Sequence, residues 1–166
     1  NGSLNFSRGY HFEVGARFSS PGMGVAGRVD GYGKAAKDDV RSNYGTGIGL
    51  SLRGEMLVSD DCYCEIDDEV TDQWGIPVLK FYWKWSEQEI NQVAHGLEWG
   101  KKIIEAMGGI VNNPDRAAEE AIEEGGQIIH EVGTTRMGED PATSVCNEWG
   151  QTWDVENLYV MDGGVF

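Results

Sequence analysis

The chain has 166 residues, which suits a single domain large enough to bury a core. Its 13 basic and 28 acidic residues give a formal net charge of −15. Such an acidic surface repels phosphate backbones and anionic lipid headgroups, so nucleic acid and membrane surfaces are excluded as expected partners. No apolar run approaches the ~20 residues that cross a bilayer. The 24 glycines predict many tight turns rather than a helical bundle.

Four segments in the first half of the chain have the composition and the alternation of half-buried β-strands. They are residues 9–18, 45–58, 62–70 and 77–85. His11 falls on the polar face of the first strand, where we expect a solvated imidazole rather than a catalytic one.

The last of these strands carries an aromatic row. Leu79, Phe81, Trp83 and Trp85 alternate along it with Val78 and more polar side chains. The row is either part of the core or the aromatic wall of a sugar-sized cleft. Core is the favoured interpretation, and the cleft is kept as the alternative.

A glycine-rich loop is predicted for residues 19–35, and it contains a misleading match to a nucleotide-binding motif. The segment Gly31-Tyr-Gly-Lys-Ala-Ala36 fits one form of the dinucleotide-binding fingerprint. That fingerprint needs a hydrophobic strand before it and a helix after it. Arg28-Val-Asp30 is no such strand, and Lys37-Asp-Asp39 opens no apolar helix. We therefore predict that the chain contains no dinucleotide-binding half of its own.

The strongest helix signal covers residues 86–107. It opens with a capping box, Ser86-Glu-Gln-Glu89. Gly96 and Gly100 lie four residues apart within it, and we expect them to admit a close neighbour. His95 lies just off the apolar stripe and is interpreted as structural or solvent-facing.

A second helix is predicted for residues 113–124, with Pro114 at its first position. Four strands with two helices predict an α+β fold, with a mostly antiparallel β-sheet and helices packed on one face. The three cysteines have neither the spacing of a disulfide framework nor the further ligands that a metal site needs, so no metal is expected. They are Cys62, Cys64 and Cys146.

Two apolar runs near the C-terminus each lead into a polar, glycine-rich break. Ile128-Ile129 leads into His130-Glu-Val-Gly133-Thr134, and Leu158-Tyr-Val160 leads towards Asp162-Gly163-Gly164. We expect both runs to be strands, with His130 at the end of the first. An imidazole can take up a proton near neutral pH. Glycines at strand ends let a ligand approach the backbone, so both breaks are candidate ligand contacts.

The first break contains His-x-x-Gly-Thr-x-x-Met-Gly, and about two dozen residues later the second apolar run ends in Asp-Gly. Together these blocks resemble the C-terminal signature of the glucose–methanol–choline (GMC) family of flavin oxidoreductases. The matching residues are His130, Gly133, Thr134, Met137, Gly138, Asp162 and Gly163. The resemblance is dense over residues 126–166 and fainter over 1–125. We interpret Met137-Gly138 as a packing element.

The resemblance implies an FAD-dependent oxidoreductase that acts on CH–OH groups of an alcohol, a sugar or a polyol. It implies that His130 lies beside the flavin ring and takes the hydroxyl proton while hydride passes to the flavin. A second histidine or an asparagine would pair with it, beyond Phe166. It also implies that the Asp162-Gly163-Gly164 turn touches the phosphate–ribityl region of FAD through backbone amides, with Gly133 and Thr134 shaping the turn that follows His130.

The resemblance divides the chain into a substrate-binding domain, residues 1–143, and a segment that returns to the FAD-binding domain in the family, residues 144–166. The N-terminal βαβ unit of the family is missing from this chain. We therefore expect a longer polypeptide, whose FAD-binding remainder is the partner of this part. The isolated chain should neither hold FAD tightly nor turn over, and exposed flavin-facing apolar surface should drive self-association.

The alternative comes from another functional class. In it the chain is a non-catalytic carbohydrate- or ligand-binding module that uses Trp83 and Trp85 as a stacking platform.

Overall fold

The computed structural model describes residues 4–16, 31–127 and 129–166. The elements in these ranges are β1 Tyr10–Ala16, α1 Gly33–Asn43, β2 Ile48–Gly54, β3 Tyr63–Thr71, β4 Pro77–Tyr82, α2 Glu87–Ala106, α3 Ala118–Ala121 and a 3₁₀ turn Gly163–Val165. The chain divides into two compact units. The first unit comprises Asn1–Glu55 and Asn91–Ala118, and the second comprises Met56–Ile90 and Glu119–Phe166.

The first unit contains an antiparallel pair of strands, β1 and β2. Their register runs from Tyr10 opposite Gly54 to Ala16 opposite Ile48. His11 lies opposite Arg53 and is exposed, so the predicted solvated position is confirmed. On the same face the Arg53 Nε lies 3.1 Å from a carboxylate oxygen of Glu13.

The helix α2 packs closely on this strand pair through its glycines. A methyl group added at Gly96 would lie 2.6 Å from a Leu52 methyl carbon. One added at Gly100 would lie 3.6 Å from the Phe12 ring. The prediction that these glycines admit a close neighbour is confirmed, because side chains of β1 and β2 occupy the space above them.

His95 is a structural histidine of the first unit. Its Nδ1 lies 2.7 Å from the Tyr10 hydroxyl, and the Trp99 indole N–H donates to its Nε2 at 3.0 Å. Because an indole nitrogen can only donate, Nε2 carries no proton, and the neutral ring donates through Nδ1–H to Tyr10. Both ring nitrogens are therefore occupied, as the structural interpretation of this residue predicts.

The second unit contains the other antiparallel pair, β3 and β4. Tyr63 lies opposite Tyr82 and Ile66 opposite Leu79, with an irregularity between Ile66 and Thr71. Leu79 and Phe81 are 57% and 67% exposed, so the favoured interpretation of their row as core is wrong for these two residues.

The predicted α+β class is confirmed, but the single mostly antiparallel sheet is not. The described residues form two separate two-stranded sheets, β1–β2 and β3–β4. Alternation along a strand indicates which face is apolar, but it does not specify which strands pair. The predicted boundary between residues 143 and 144 stays a prediction.

The helices also differ from the expectation. The segment predicted as helix over 113–124 is helical only at Ala118–Ala121, and α1 lies where no helix was predicted. No residue of α1 is buried; an ion pair between Lys34 and Asp38 spans one of its turns. The helix that the dinucleotide fingerprint requires is thus present. The strand that must precede it falls in residues 17–30, outside the described ranges, so the rejection of a nucleotide loop stays a prediction.

The described ranges contain neither a candidate membrane span nor a candidate metal cluster. None of the helices there combines the length and the apolar character of a bilayer-spanning segment. No group of three or more His, Cys, Asp or Glu side chains in these ranges could hold a metal ion.

The predicted capping box is present at the start of α2. Glu89 is 3% exposed. One of its carboxylate oxygens accepts from the Ser86 backbone N–H at 2.9 Å, and the other accepts from the Leu57 N–H at 3.1 Å. Burial alone raises the pKa of Glu89, but the hydrogen bonds from Ser86 and Leu57 outweigh it and lower the pKa below the ordinary value of 4.5.

We predict that Glu89→Gln lowers the free energy of unfolding by about 1–3 kcal/mol at pH 7, because an amide cannot accept all of these bonds. A carboxylate whose pKa is lowered by folding stabilises the fold fully when the pH is above its pKa in the unfolded state. That contribution is lost as the pH falls towards its pKa in the folded state. Urea denaturation should therefore show that the difference in the free energy of unfolding between wild type and variant shrinks below about pH 4.5. A gap that stays constant down to pH 3 would contradict this account.

Candidate functional site

Two stretches that are distant in sequence lie side by side in the second unit. The Thr135 N–H donates to the Gly164 carbonyl, and the Met137 N–H donates to the Val165 carbonyl, each at 2.9 Å. We call this pairing of residues 132–137 with 162–166 the two-block contact. It joins the two halves of the C-terminal motif, which the sequence separates by about two dozen residues.

The Asp162 turn is built around its own carboxylate. Asp162 has an extended backbone, and its Oδ1 accepts from the Gly164 N–H at 2.8 Å. The chain then makes one 3₁₀ turn, Gly163–Val165, which the Phe166 N–H closes by donating to the Gly163 carbonyl. Asp162 and Gly163 are exposed, so this predicted site segment faces outwards.

Glycine is required at the centre of this turn. A methyl group added at Gly164 would lie 2.7 Å from the Thr135 hydroxyl oxygen and 2.9 Å from Asp162 Oδ1. One added at Gly163 would lie 3.2 Å from a Val132 methyl carbon. The absence of side chains therefore allows the two blocks to approach.

Gly133 lies close to Phe166, at the C-terminal end of the two-block contact. Its φ is +84°, and a methyl group added there would lie 3.0 Å from the Phe166 carbonyl oxygen. Thr134 follows it in a turn with its side chain exposed. The structure thus places the predicted pair Gly133-Thr134 beside the end of the predicted Asp162 turn.

His130 does not lie at a strand end, and the prediction that it does is wrong. Its φ is +82°, and Ile129 and residues 130–134 form neither helix nor strand. Ile128, the other residue of the apolar run, lies outside the described ranges, and the chain bends at Ile129 instead of pairing as a strand.

The His130 side chain is exposed, and among the described residues it makes no hydrogen bond or ion pair. A positive φ is uncommon outside glycine. Arg8 and Asn113 share it among the residues described. Backbone strain of this kind clusters at functional sites, so it marks His130 as a candidate without assigning it a role.

The second apolar run is also not a strand. Tyr159 forms an isolated bridge with Gln151, and the Val160 N–H donates to the Gly150 carbonyl at 2.8 Å. Leu158 and Tyr159 are exposed, so the prediction of a buried strand is wrong in this chain.

A buried cluster around Cys146 adjoins the two-block contact. Cys146 is fully buried and bridges through its backbone to Met137 and to Thr152. The Gly138 N–H donates to the Cys146 carbonyl, and a methyl group at Gly138 would lie 2.7 Å from the Ser144 Cβ. The interpretation of Gly138 as a packing element is confirmed, and that of the Met137 side chain stays a prediction.

Thr135 belongs to the site but was not among the predicted residues. Its hydroxyl oxygen is buried and has no hydrogen-bond partner in the described part of the chain. It occupies a variable position of the motif, so the pattern carries no signal for it. Only the fold brings it against the Asp162 turn.

The two tryptophans of the alternative interpretation do not make one flat platform. The Trp83 and Trp85 rings lie 5.3 Å apart at 89°, edge to face. The Trp85 indole N–H donates to the Glu123 carbonyl at 2.7 Å, which fixes that ring. Trp83 is 40% exposed and offers a single stacking face at most.

We predict that Gly133→Ala lowers the free energy of unfolding more than Gly126→Ala does. Both glycines have a positive φ, +84° and +80°, so both variants bear the ~1–2 kcal/mol cost of a left-handed alanine. Only at Gly133 does the new methyl group also meet backbone, since nothing lies within 4 Å at Gly126. Urea denaturation followed by tryptophan fluorescence measures the difference. Equal losses would contradict the two-block contact.

Comparison with known proteins places these features in a family. The family model for GMC oxidoreductase, C-terminal part, matches residues 59–166. The chain is 28% identical over 162 residues to the 2-methyl-1,2-propanediol dehydrogenase of Mycolicibacterium austroafricanum, covering 95% of the chain and 28% of that protein. It is 26% identical over 173 residues to the gluconate 2-dehydrogenase flavoprotein of Pantoea cypripedii, covering 100% and 28%.

A third relative is the paromamine 6'-oxidase of Streptomyces fradiae, 28% identical over 136 residues, which are 78% of the chain and 23% of that protein. The chain therefore spans about a quarter of the length of the curated relatives it matches. The family model covers most of the chain, including both blocks of the motif. The chain belongs to the GMC oxidoreductase family, of which it represents the C-terminal portion.

Proposed function

We propose that the chain is the substrate-binding C-terminal part of an FAD-dependent oxidoreductase that oxidises a CH–OH group of an alcohol, a sugar or a polyol. The observation that carries the proposal is the two-block contact, which joins the segment that follows His130 to the Asp162 turn. The names of the relatives are compatible with it, since two are dehydrogenases and one is an oxidase. Because these names differ in kind, the electron acceptor is not carried over.

The residues of the Asp162 turn fit a flavin cofactor. Asp162 and Gly163 are exposed, and Gly163 and Gly164 carry no side chain that would keep a ligand away from the backbone. Asp162, Gly163 and Gly164 would hold the phosphate–ribityl region, with Gly133 and Thr134 shaping the facing turn. When bound, FAD accepts the hydride that leaves the substrate carbon.

His130 is the proposed base. Its exposed imidazole has no partner among the described residues and is available for the proton of a substrate hydroxyl. It lies three residues before Gly133, whose Cβ position is 3.0 Å from the Phe166 carbonyl oxygen, so the His130 Cα lies within roughly 11 Å of the Gly133 Cα. This closeness supports a role next to the cofactor segment.

The proposed partner of this chain is the FAD-binding remainder of a longer polypeptide. Self-association stays a prediction as well. An apolar face of the β3–β4 pair is compatible with either, because Ile66, Leu79 and Phe81 are exposed on it.

We predict that the 166-residue chain alone binds FAD weakly and does not turn over, because the two-block contact supplies only one side of the proposed site. Titration with FAD, followed by flavin fluorescence, should show no saturable tight binding. The control is the complete polypeptide, which should bind one FAD per chain. Tight one-to-one binding by the isolated chain would refute the prediction.

We predict that His130→Asn in the complete flavoprotein lowers kcat about 10²–10⁴-fold, the usual contribution of a general base. Flavin content and absorbance spectrum should stay as in wild type, since the imidazole holds no part of the turn. His11→Asn is the matched control, because His11 is exposed on β1 and should leave kcat unchanged. A His130→Asn enzyme within twofold of wild type would remove this residue from the proposal.

A further inference from the structure

In the Asp162 turn, a backbone donor that an anionic or polar ligand needs is already occupied. The Gly164 N–H is one of the amides proposed to meet the cofactor, yet it already donates to Asp162 Oδ1 at 2.8 Å. The carboxylate also places negative charge where a phosphate would approach. For Gly164 to serve a ligand, the Asp162 side chain must turn away and find another donor.

Thr135 provides such a donor. Its hydroxyl oxygen is buried and has no partner in the described ranges, which costs free energy in this state. Such a group calls for an explanation, and a partner gained on ligand binding would provide one. The hydroxyl oxygen and Asp162 Oδ1 both lie within 3 Å of the same point, the Cβ position at Gly164. The Thr135 N–H donates to the Gly164 carbonyl, which keeps the hydroxyl beside the turn.

We propose that Thr135 is a positioning residue that receives the Asp162 carboxylate when the cofactor binds. The Gly164 N–H then donates to the cofactor, and the Thr135 hydroxyl donates to Asp162, so each group keeps one partner. Both partners of the Asp162 carboxylate lie beside Gly164, so the proposed exchange is a rotation of the Asp162 side chain between them. This inference rests on the proposed function, since the cofactor is its ligand.

The test compares Thr135→Val and Thr135→Ser in the complete flavoprotein and in its flavin-free form. Valine has the shape of threonine without the hydroxyl. It should raise the Kd for FAD about tenfold, the lower end for a lost hydrogen bond to a charged group. The melting temperature of the flavin-free form should stay the same or rise, because the variant removes an unpaired buried hydroxyl. Serine keeps the hydroxyl, and its Kd should stay within about twofold of wild type.

A double-mutant cycle with Asp162→Asn tests whether Thr135 acts through the carboxylate. With the charge removed, the effect of Thr135→Val on the Kd should shrink to about twofold. An undiminished effect would overturn the proposal, as would an unchanged Kd for Thr135→Val in an otherwise wild-type protein that binds FAD. A melting temperature that falls by several degrees in the flavin-free form would show a merely structural role. Failure of the complete wild-type protein to bind FAD would overturn the proposed function and this inference together.

Discussion

The second unit depends on two backbone hydrogen bonds, from the Thr135 and Met137 N–H groups to the Gly164 and Val165 carbonyls. They bring together two stretches that the sequence keeps well apart, and no side chain takes part in either bond. Side chains instead decide whether the bonds can form, because a Cβ at Gly164 would meet Thr135 and Asp162. The same absence of side chains leaves the backbone of the turn open on its exposed side.

Packing and chemistry are therefore coupled in this segment. Cys146 lies buried beneath the contact, bridged to Met137, while Asp162 and His130 remain exposed. For the base proposed at His130, such packing limits how far the following segment can move from a substrate. The proposed function places a flavin on the exposed side, which agrees with GMC family membership.

Features encoded by neighbouring residues were predictable from the sequence. The capping box at Glu89 and the close approach at Gly96 follow from local spacing, and both are present. The α1 helix was missed because none of its residues is buried, and its ion pair between Lys34 and Asp38 lies within a single turn. The strand end expected at His130 is absent, because Ile129 and His130 form irregular chain and two apolar residues do not specify a pairing partner. Thr135 could not be predicted at all, since its importance arises only from the residues that the fold places beside it.

We propose that the two blocks are held together before any cofactor arrives and that the cofactor binds on their exposed side. Amide hydrogen exchange of the complete polypeptide, with and without FAD, tests this most directly. We predict slow exchange at the Thr135 and Met137 amides in both states. Within this part of the chain, FAD should slow exchange only at residues 130–134 and 162–166. Fast exchange at Thr135 and Met137 without FAD, or protection by FAD that leaves both segments unchanged, would contradict it.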